Sequence, residues 1–399
     1  MNPLILTLRD GSWLTRTRLM RWGWAVLACS IAFVAFMALT ARGLNDLSGR
    51  PLGTDFSAFY AAGRLALLGA NPYDQAALHH MQQGIFGAGT RYYGFAYPPI
   101  FLPVAEALAL LPYLLALALW QASTFALYLW SMAGLKRRFG AALPMTEYLV
   151  LAAAFTAAVV NLGHGQNGFL TAALFAFALS VLDSRPWPAG LAFGLVAYKP
   201  QLALLIPFAL AAGGRWRAFL AAAVTVAALV ALTSLFYGAE CWREFFAAAQ
   251  GSRQMILDQG RVGYEKMVSV FAWMRLWRAP LTPAYLVQTG VALAVLVETI
   301  RIWRTDADPR LKGAALCLGT LLATPFALDY DLMLLAPAVA LIAMHGIEKR
   351  FAPYQASLLS LLWLMPLLER PLAGGLLLPV AAWSVIAGFL LVSRQAHAA

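Results

Sequence analysis

Trp22-Gly23-Trp24-Ala25-Val26-Leu27-Ala28-Cys29-Ser30-Ile31-Ala32-Phe33-Val34-Ala35-Phe36-Met37-Ala38-Leu39-Thr40-Ala41 carries no charge, and Arg16, Arg18 and Arg21 stand just before it. A helix needs about 20 apolar residues to cross the hydrocarbon core of a bilayer. The stretch therefore reads as a membrane span. No convincing small-residue cleavage site follows it, so it is expected to be retained and not removed as a signal peptide. Similar apolar runs continue almost unbroken to Val392. Of 399 residues, 61% are hydrophobic and 12% charged, whereas about a quarter of a soluble globular chain is charged. These runs predict an all-α, polytopic transmembrane bundle of about 10 to 13 membrane helices, some broken or re-entrant, with no separate soluble domain.

Cys29, Cys241 and Cys317 have no metal-ligand spacing, and no disulfide framework or zinc site follows from them. The formal charge of +11 suggests nucleic acid at first sight. The basic residues, however, form short clusters between apolar runs, the pattern that sets membrane orientation. No nucleic-acid partner is expected; membrane lipids are.

With residues 1–21 in the cytoplasm, the first span leads out to a long external loop, 42–112, carrying amphipathic helices. Residues 113–135 return to Lys136-Arg137-Arg138. Two short apolar halves, 148–163 and 169–182, are joined externally by His164-Gly165-Gln166-Asn167-Gly168. At about 1.5 Å per residue each barely spans, which suggests broken helices around a cavity. Residues 187–197 and 202–212 repeat the pattern around Tyr198-Lys199-Pro200-Gln201, either spanning or re-entering. A second external loop is expected over 238–283. In this placement the cytoplasmic segments hold 17 Lys and Arg against 7 Asp and Glu, and the external segments 12 against 11. The bias has the sign of the positive-inside rule. The same placement sends Asp55, Tyr97, His164, Gln166, Asn167, Lys199, Gln201, Asp329, Asp331 and Arg370 to the external side, where they could line one cavity.

Asp55 opens the stretch Asp55-Phe56-Ser57-Ala58-Phe59-Tyr60. Asp55 or Thr54 is placed to cap a helix there; equally, a carboxylate beside an apolar cavity can take a proton from a hydroxyl. Lys199 interrupts an apolar run before Pro200 and either meets an anion or snorkels to the interface. Arg64 and Lys199 are cations able to meet an anionic group. The His164–Gly168 turn either ends two helices or binds sugar or phosphate. Asp331 reads as the cap of a turn, and Asp329 as a carboxylate able to bind hydroxyl groups of a ligand. Trp242, Trp273 and Trp277 read as headgroup anchors.

In order along the chain, Asp55-Phe56 with Tyr60-Ala61-Ala62-Gly63, Leu67-Leu68-Gly69-Ala70-Asn71-Pro72-Tyr73-Asp74, Tyr97-Pro98-Pro99, Gly165-Gln166-Asn167, Lys199-Pro200 and Asp329-Tyr330-Asp331 resemble glycosyltransferase family 87. That family comprises GT-C type membrane enzymes and includes mycobacterial polyprenol-phosphate-mannose-dependent mannosyltransferases. The resemblance runs from about residue 50 to about residue 345. It implies a GT-C type hexosyltransferase in the bacterial inner membrane with its site facing the periplasm or cell exterior. The implied donor is a polyprenyl-phosphate sugar, mannose first, and the implied acceptor a hydroxyl of a glycan or glycolipid. Asp55 would be the base, with Tyr60, Arg64, Asp74, Tyr97, His164, Gln166, Asn167, Lys199, Gln201, Asp329 and Asp331 as substrate contacts. Many GT-C enzymes carry two adjacent acidic residues in this loop, whereas Thr54 and Phe56 flank Asp55. No metal or other cofactor is expected, unless Asp74 joins Asp55 in the fold. The competing readings are a transporter or flippase for a lipid-linked sugar or envelope precursor, which would show a repeat between halves that this sequence lacks, and a non-catalytic scaffold of envelope biogenesis.

Overall fold

The computed structural model describes residues 2–140 and 143–398. Met1, at the head of the N-terminal segment, and Ala141, Ala142 and Ala399 lie outside the described residues. Among those described the chain is helical, and its β pairs are isolated bridges such as Arg42 with Asn45. Six helices are long and apolar enough to cross a membrane: Arg16–Leu39, Tyr113–Phe139, Trp216–Asp258, Leu281–Arg304, Asp329–Lys349 and Gln355–Leu376. Met145–Ala153 and Ala157–His164, bent by 52°, pass the same test as a pair. Shorter apolar helices cover Pro99–Ala109, Gly168–Val181 and Pro200–Ala212. The protein is a polytopic all-α membrane bundle.

The outer helices turn apolar surface outward. Leu39, Leu235 and Phe236 are 86%, 77% and 76% exposed, a surface suited to lipid tails and not to water. The innermost helices are short. Gly168–Val181 has 14 residues and Pro309–Ala323 has 15, and both are buried along most of their length. At a rise of about 1.5 Å per residue neither reaches across a core of about 30 Å. Their ends are polar where they meet other protein segments, an arrangement tolerated only because lipid does not touch them.

The segment after the first span folds into the helices Phe56–Leu67, Gln75–Phe86 and Leu102–Ala109, the last entered through a 3₁₀ turn at Pro99–Phe101. The helix that begins after Asp55 crosses Leu102–Ala109 at Gly63, where a Cβ would sit 2.1 Å from the Ala105 carbonyl oxygen. Only glycine allows that approach. Phe59 anchors the same helix, with its ring 5.0 Å from Tyr97 and 5.1 Å from Phe101, both edge-on. Tyr198 stacks on Phe101 at 5.6 Å.

Residues 238–283, expected as a loop, are largely helical. The helix Trp216–Arg253 breaks at Gly238 (φ 77°, ψ 158°), and its second arm runs on to Arg253 and a π turn, Gln254–Asp258. Ala, Glu and Arg recur through that arm, and they are good helix formers. Gly238 ends the first arm and lets a second helix start in a new direction.

Candidate active site

A cavity of about 1080 Å³ gathers Asp55, Tyr97, His164, Gln166, Lys199, Gln201, Asp329, Asp331 and Arg370. Residues more than 300 positions apart in the chain meet here: Asp55, His164, Gln166, Lys199, Asp329 and Asp331 lie at ends or breaks of helices, and Arg370 reaches in from within Gln355–Leu376.

Asp55 occupies the N-cap position of Phe56–Leu67, but its side chain makes no capping bond. The capping reading is corrected: the carboxylate turns into the cavity. Its backbone N–H donates to the His164 carbonyl at 2.9 Å, which ties the start of this helix to the turn after Ala157–His164. Gly165 in that turn is left-handed (φ 65°), and a Cβ on it would lie 2.6 Å from Phe56 Cβ. The close approach puts Gln166 in reach of Asp55.

Gln166 Oε1 accepts from Tyr97 Oη at 3.1 Å and from the backbone N–H of Asn167 at 3.0 Å. With its oxygen facing two donors, the amide must turn its nitrogen the other way, and Nε2 donates to Asp55 Oδ2 at 3.0 Å. Tyr97 is buried, and burial pushes its phenol well above the usual value, so it stays protonated and donates. Asp55 Oδ1 has His164 Nδ1 at 3.8 Å, too far for a hydrogen bond. One carboxylate oxygen is thus fixed and the other is open, on a side chain that is 28% exposed.

His164 is itself held from two sides. Arg370 Nη2 lies 2.7 Å from its Nε2. A guanidinium has only donors to offer, so Nε2 accepts. The ring hydrogen is then on Nδ1, which lies 2.8 Å from Thr54 Oγ1. Arg370 Nε donates to the carboxylate of Asp329, which is 1% exposed.

Lys199 lies at a helix break. The residue before a proline is steered out of the helical region, and Lys199 before Pro200 has φ −125° and ψ 77°. Its ammonium, 2% exposed, does not snorkel; Nζ meets Asp331 Oδ1 at 2.5 Å and lies 4.8 Å from the centre of the Tyr330 ring. Asp331 Oδ2 accepts from the Leu328 amide at 3.1 Å, so Asp331 caps its turn and pairs with Lys199 at once. The charge of Lys199 is already matched.

Three expected contacts lie elsewhere. Tyr60 is buried and donates to the Leu111 carbonyl at 2.8 Å. Arg64 is exposed near the far end of its helix. Asp74 caps the helix Gln75–Phe86 through the Ala77 amide at 2.9 Å and does not join Asp55. None of the three lines the cavity. Asn167 stands just behind it, 0% exposed, with both amide atoms unpartnered. Arg50, Arg91, Arg253, Arg261 and Lys266 also line the cavity, and no motif had singled them out. The available signal was that all five lie in the two segments expected outside the membrane, 42–112 and 238–283. Among the described residues no group of three His, Cys, Asp or Glu is arranged to hold a metal.

Fold and site together define a class: a polytopic helical membrane protein whose helix ends and breaks enclose a polar, cation-rich chamber around one partly open carboxylate. A family model for glycosyltransferase family 87 matches residues 95–325, more than half of the chain. The chain belongs to glycosyltransferase family 87 and is a glycosyltransferase. The match includes Tyr97, His164, Gln166, Asn167, Lys199 and Gln201; Asp55 precedes it, and Asp329, Asp331 and Arg370 follow it. No curated protein matches the chain.

Proposed function

We propose that this glycosyltransferase moves a hexose, with mannose the first sugar to test, from a polyprenyl-phosphate donor to a hydroxyl of a glycan or glycolipid. The observation that carries this reading is the state of Asp55: Oδ2 tied to Gln166, Oδ1 open to a chamber rich in cations. The acceptor hydroxyl attacks the anomeric carbon from the face opposite the phosphate. The new C–O bond forms as the bond to the phosphate oxygen breaks, and the hydroxyl proton passes to Asp55 Oδ1. The polyprenyl phosphate leaves with the bonding electrons, its growing charge met by arginine side chains. This single displacement inverts the anomeric configuration. Lys199 is not the cation for that task, because Asp331 neutralises it, nor is Arg64, which lies off the cavity. The excess of basic residues in the segments assigned to the cytoplasm supports a chamber that faces the periplasm or cell exterior of a bacterial inner membrane.

The test is incubation of membranes containing the full chain with labelled polyprenyl-phosphate sugars. Wild type is expected to transfer label, and Asp55→Asn to lose about 10²- to 10⁴-fold in rate, the usual contribution of a general base. Transfer that survives the substitution unchanged rules out Asp55 as the base. Absence of transfer from every lipid-phosphate donor would favour a carrier of lipid-linked sugars.

A further inference from the structure

The chamber holds more positive charge than a donor phosphate needs. Seven cationic side chains and three carboxylates line it. Two of the carboxylates are matched, Asp331 by Lys199 and Asp329 by Arg370. Five cations, Arg50, Arg91, Arg253, Arg261 and Lys266, line the same space with no carboxylate within 4 Å among the described residues. A sugar phosphodiester carries one negative charge, and the departing phosphate monoester two at most near neutral pH. Unmatched like charges converging on one cavity repel one another and are retained where anions enter.

The five fall on two separate stretches of the chain. Arg253 ends, and Arg261 and Lys266 follow, the long helix Trp216–Arg253, whose Leu235 and Phe236 are exposed to the surroundings of the bundle. Phe245, Phe246, Met255 and Ile256 carry that apolar surface into the cavity beside them. A lipid-linked anion sliding along this helix meets those three cations first. Arg50 and Arg91 belong to the segment that carries Asp55, and the Tyr93 phenol lies within electrostatic reach of Arg50, Arg91 and Asp55 together. Asp46 is within the same reach, but it makes no ion pair; its Oδ1 accepts from the backbone amides of Ser48 at 2.8 Å and Arg50 at 2.9 Å. Both arginine side chains are exposed and free to close on a ligand. The group that must stand beside Asp55 is the acceptor hydroxyl.

We propose that the acceptor is itself anionic, and that Arg50 and Arg91 bind a phosphate or carboxylate on it while Arg253, Arg261 and Lys266 receive the donor phosphate. This deepens the glycosyltransfer reading, on which it rests. Two guanidinium groups in the segment that supplies the base select acceptors by charge and hold the reacting hydroxyl against Asp55 Oδ1.

The experiment uses the full chain purified in detergent and three probes: a fluorescent alkyl hexoside, the same hexoside with a phosphate monoester, and the corresponding hexuronide. Binding is measured without donor, and transfer with a labelled polyprenyl-phosphate hexose. One or both anionic probes are expected to bind about tenfold or more tightly than the neutral one. The preference should disappear in R50Q/R91Q, persist in R50K/R91K and weaken with added salt. In transfer assays R50Q/R91Q should raise the acceptor KM and leave the donor KM unchanged. The phosphate and carboxylate arms identify which anion is read. The inference is overturned if neutral and anionic probes bind alike, or if R50Q/R91Q raises the donor KM instead. Charge-selective binding without any transfer would retain the anion site and overturn the glycosyltransfer reading; transfer without charge selection would do the reverse.

Discussion

Gln166 Nε2 lies 3.0 Å from Asp55 Oδ2, and Tyr97 and the backbone N–H of Asn167 hold the far side of the same side-chain amide. This fixes both the position of the carboxylate and which of its oxygens is free. Gln166→Leu removes the donor and leaves a shorter, apolar side chain in its place. The expected result is a fall in kcat of about 10²-fold, typical of a reacting group displaced by about 1 Å, with the donor KM nearly unchanged. Tyr97→Phe removes one of the two donors behind the amide and should cost less. Steady-state kinetics on the two variants check the order; equal kcat for Gln166→Leu and wild type would separate Gln166 from the work of Asp55.

Arg370 makes two bonds that a lysine cannot make together, one to Asp329 and one to His164 Nε2. Arg370→Met leaves the Asp329 carboxylate buried without a cation, a loss of about 3–5 kcal/mol for breaking a buried pair, discounted because Arg370 is 36% exposed. Arg370→Lys keeps the charge beside Asp329 but not the planar fork. It should therefore melt close to wild type and still lose activity, because His164 is no longer held beside Asp55. Thermal unfolding and transfer rate, measured on the same preparations, separate the two effects. If Arg370→Lys lowers both in parallel, the bond to His164 has no separate role.

The bundle was legible in the sequence because a span is a long local signal; apolar runs and basic clusters need no knowledge of distant contacts. The site was legible only in part. Asp55, Gln166 and Lys199 each sit at a local break that the sequence marks with Gly or Pro. Tyr60 enters as a substrate contact through the family-like motif it belongs to, but at about 100° per residue the position that returns to the face of Asp55 is Phe59, and Phe59 lines the cavity. Asp74 follows Pro72 and starts a new helix, so its carboxylate is used by that helix's own backbone. The Arg370–His164 bond joins residues 206 positions apart, and no local pattern encodes it. The helical arm after Gly238 was missed because Trp and Arg were read as interface residues, although the intervening Ala and Glu favour helix.

Removal of divalent metal is expected to leave transfer unchanged. The support is the chemistry of the chamber: Asp329 and Asp331 are occupied by Arg370 and Lys199, Asp74 lies elsewhere, and Asp55 alone is a weak site for a hard cation that prefers several oxygen ligands. Arginines supply the positive charge that a metal would bring to a departing phosphate. Assays after treatment with EDTA, with and without added magnesium or manganese, decide the matter. A rate lost on chelation and restored by one of those ions would assign phosphate stabilisation to a metal and not to the arginines.

Lys199 and Asp331 form the most deeply buried ion pair of the chamber, with side chains 3% and 1% exposed. Removing one partner strands a charge in a medium that solvates it poorly. Lys199→Met and Asp331→Leu are each expected to destabilise the protein by about 3–5 kcal/mol. The double variant K199M/D331L removes both charges and should regain most of that loss, because a buried pair replaced by apolar side chains of similar volume is close to neutral. The Leu328 amide loses its Asp331 acceptor in the double variant, so recovery should stop short of wild type by about the 1–3 kcal/mol of an unsatisfied buried donor. Since the lysine charge is matched in the folded protein, the double variant should keep the donor KM of wild type. A donor KM that rises in K199M/D331L while stability is recovered would show that Lys199 leaves Asp331 for the donor phosphate during the reaction.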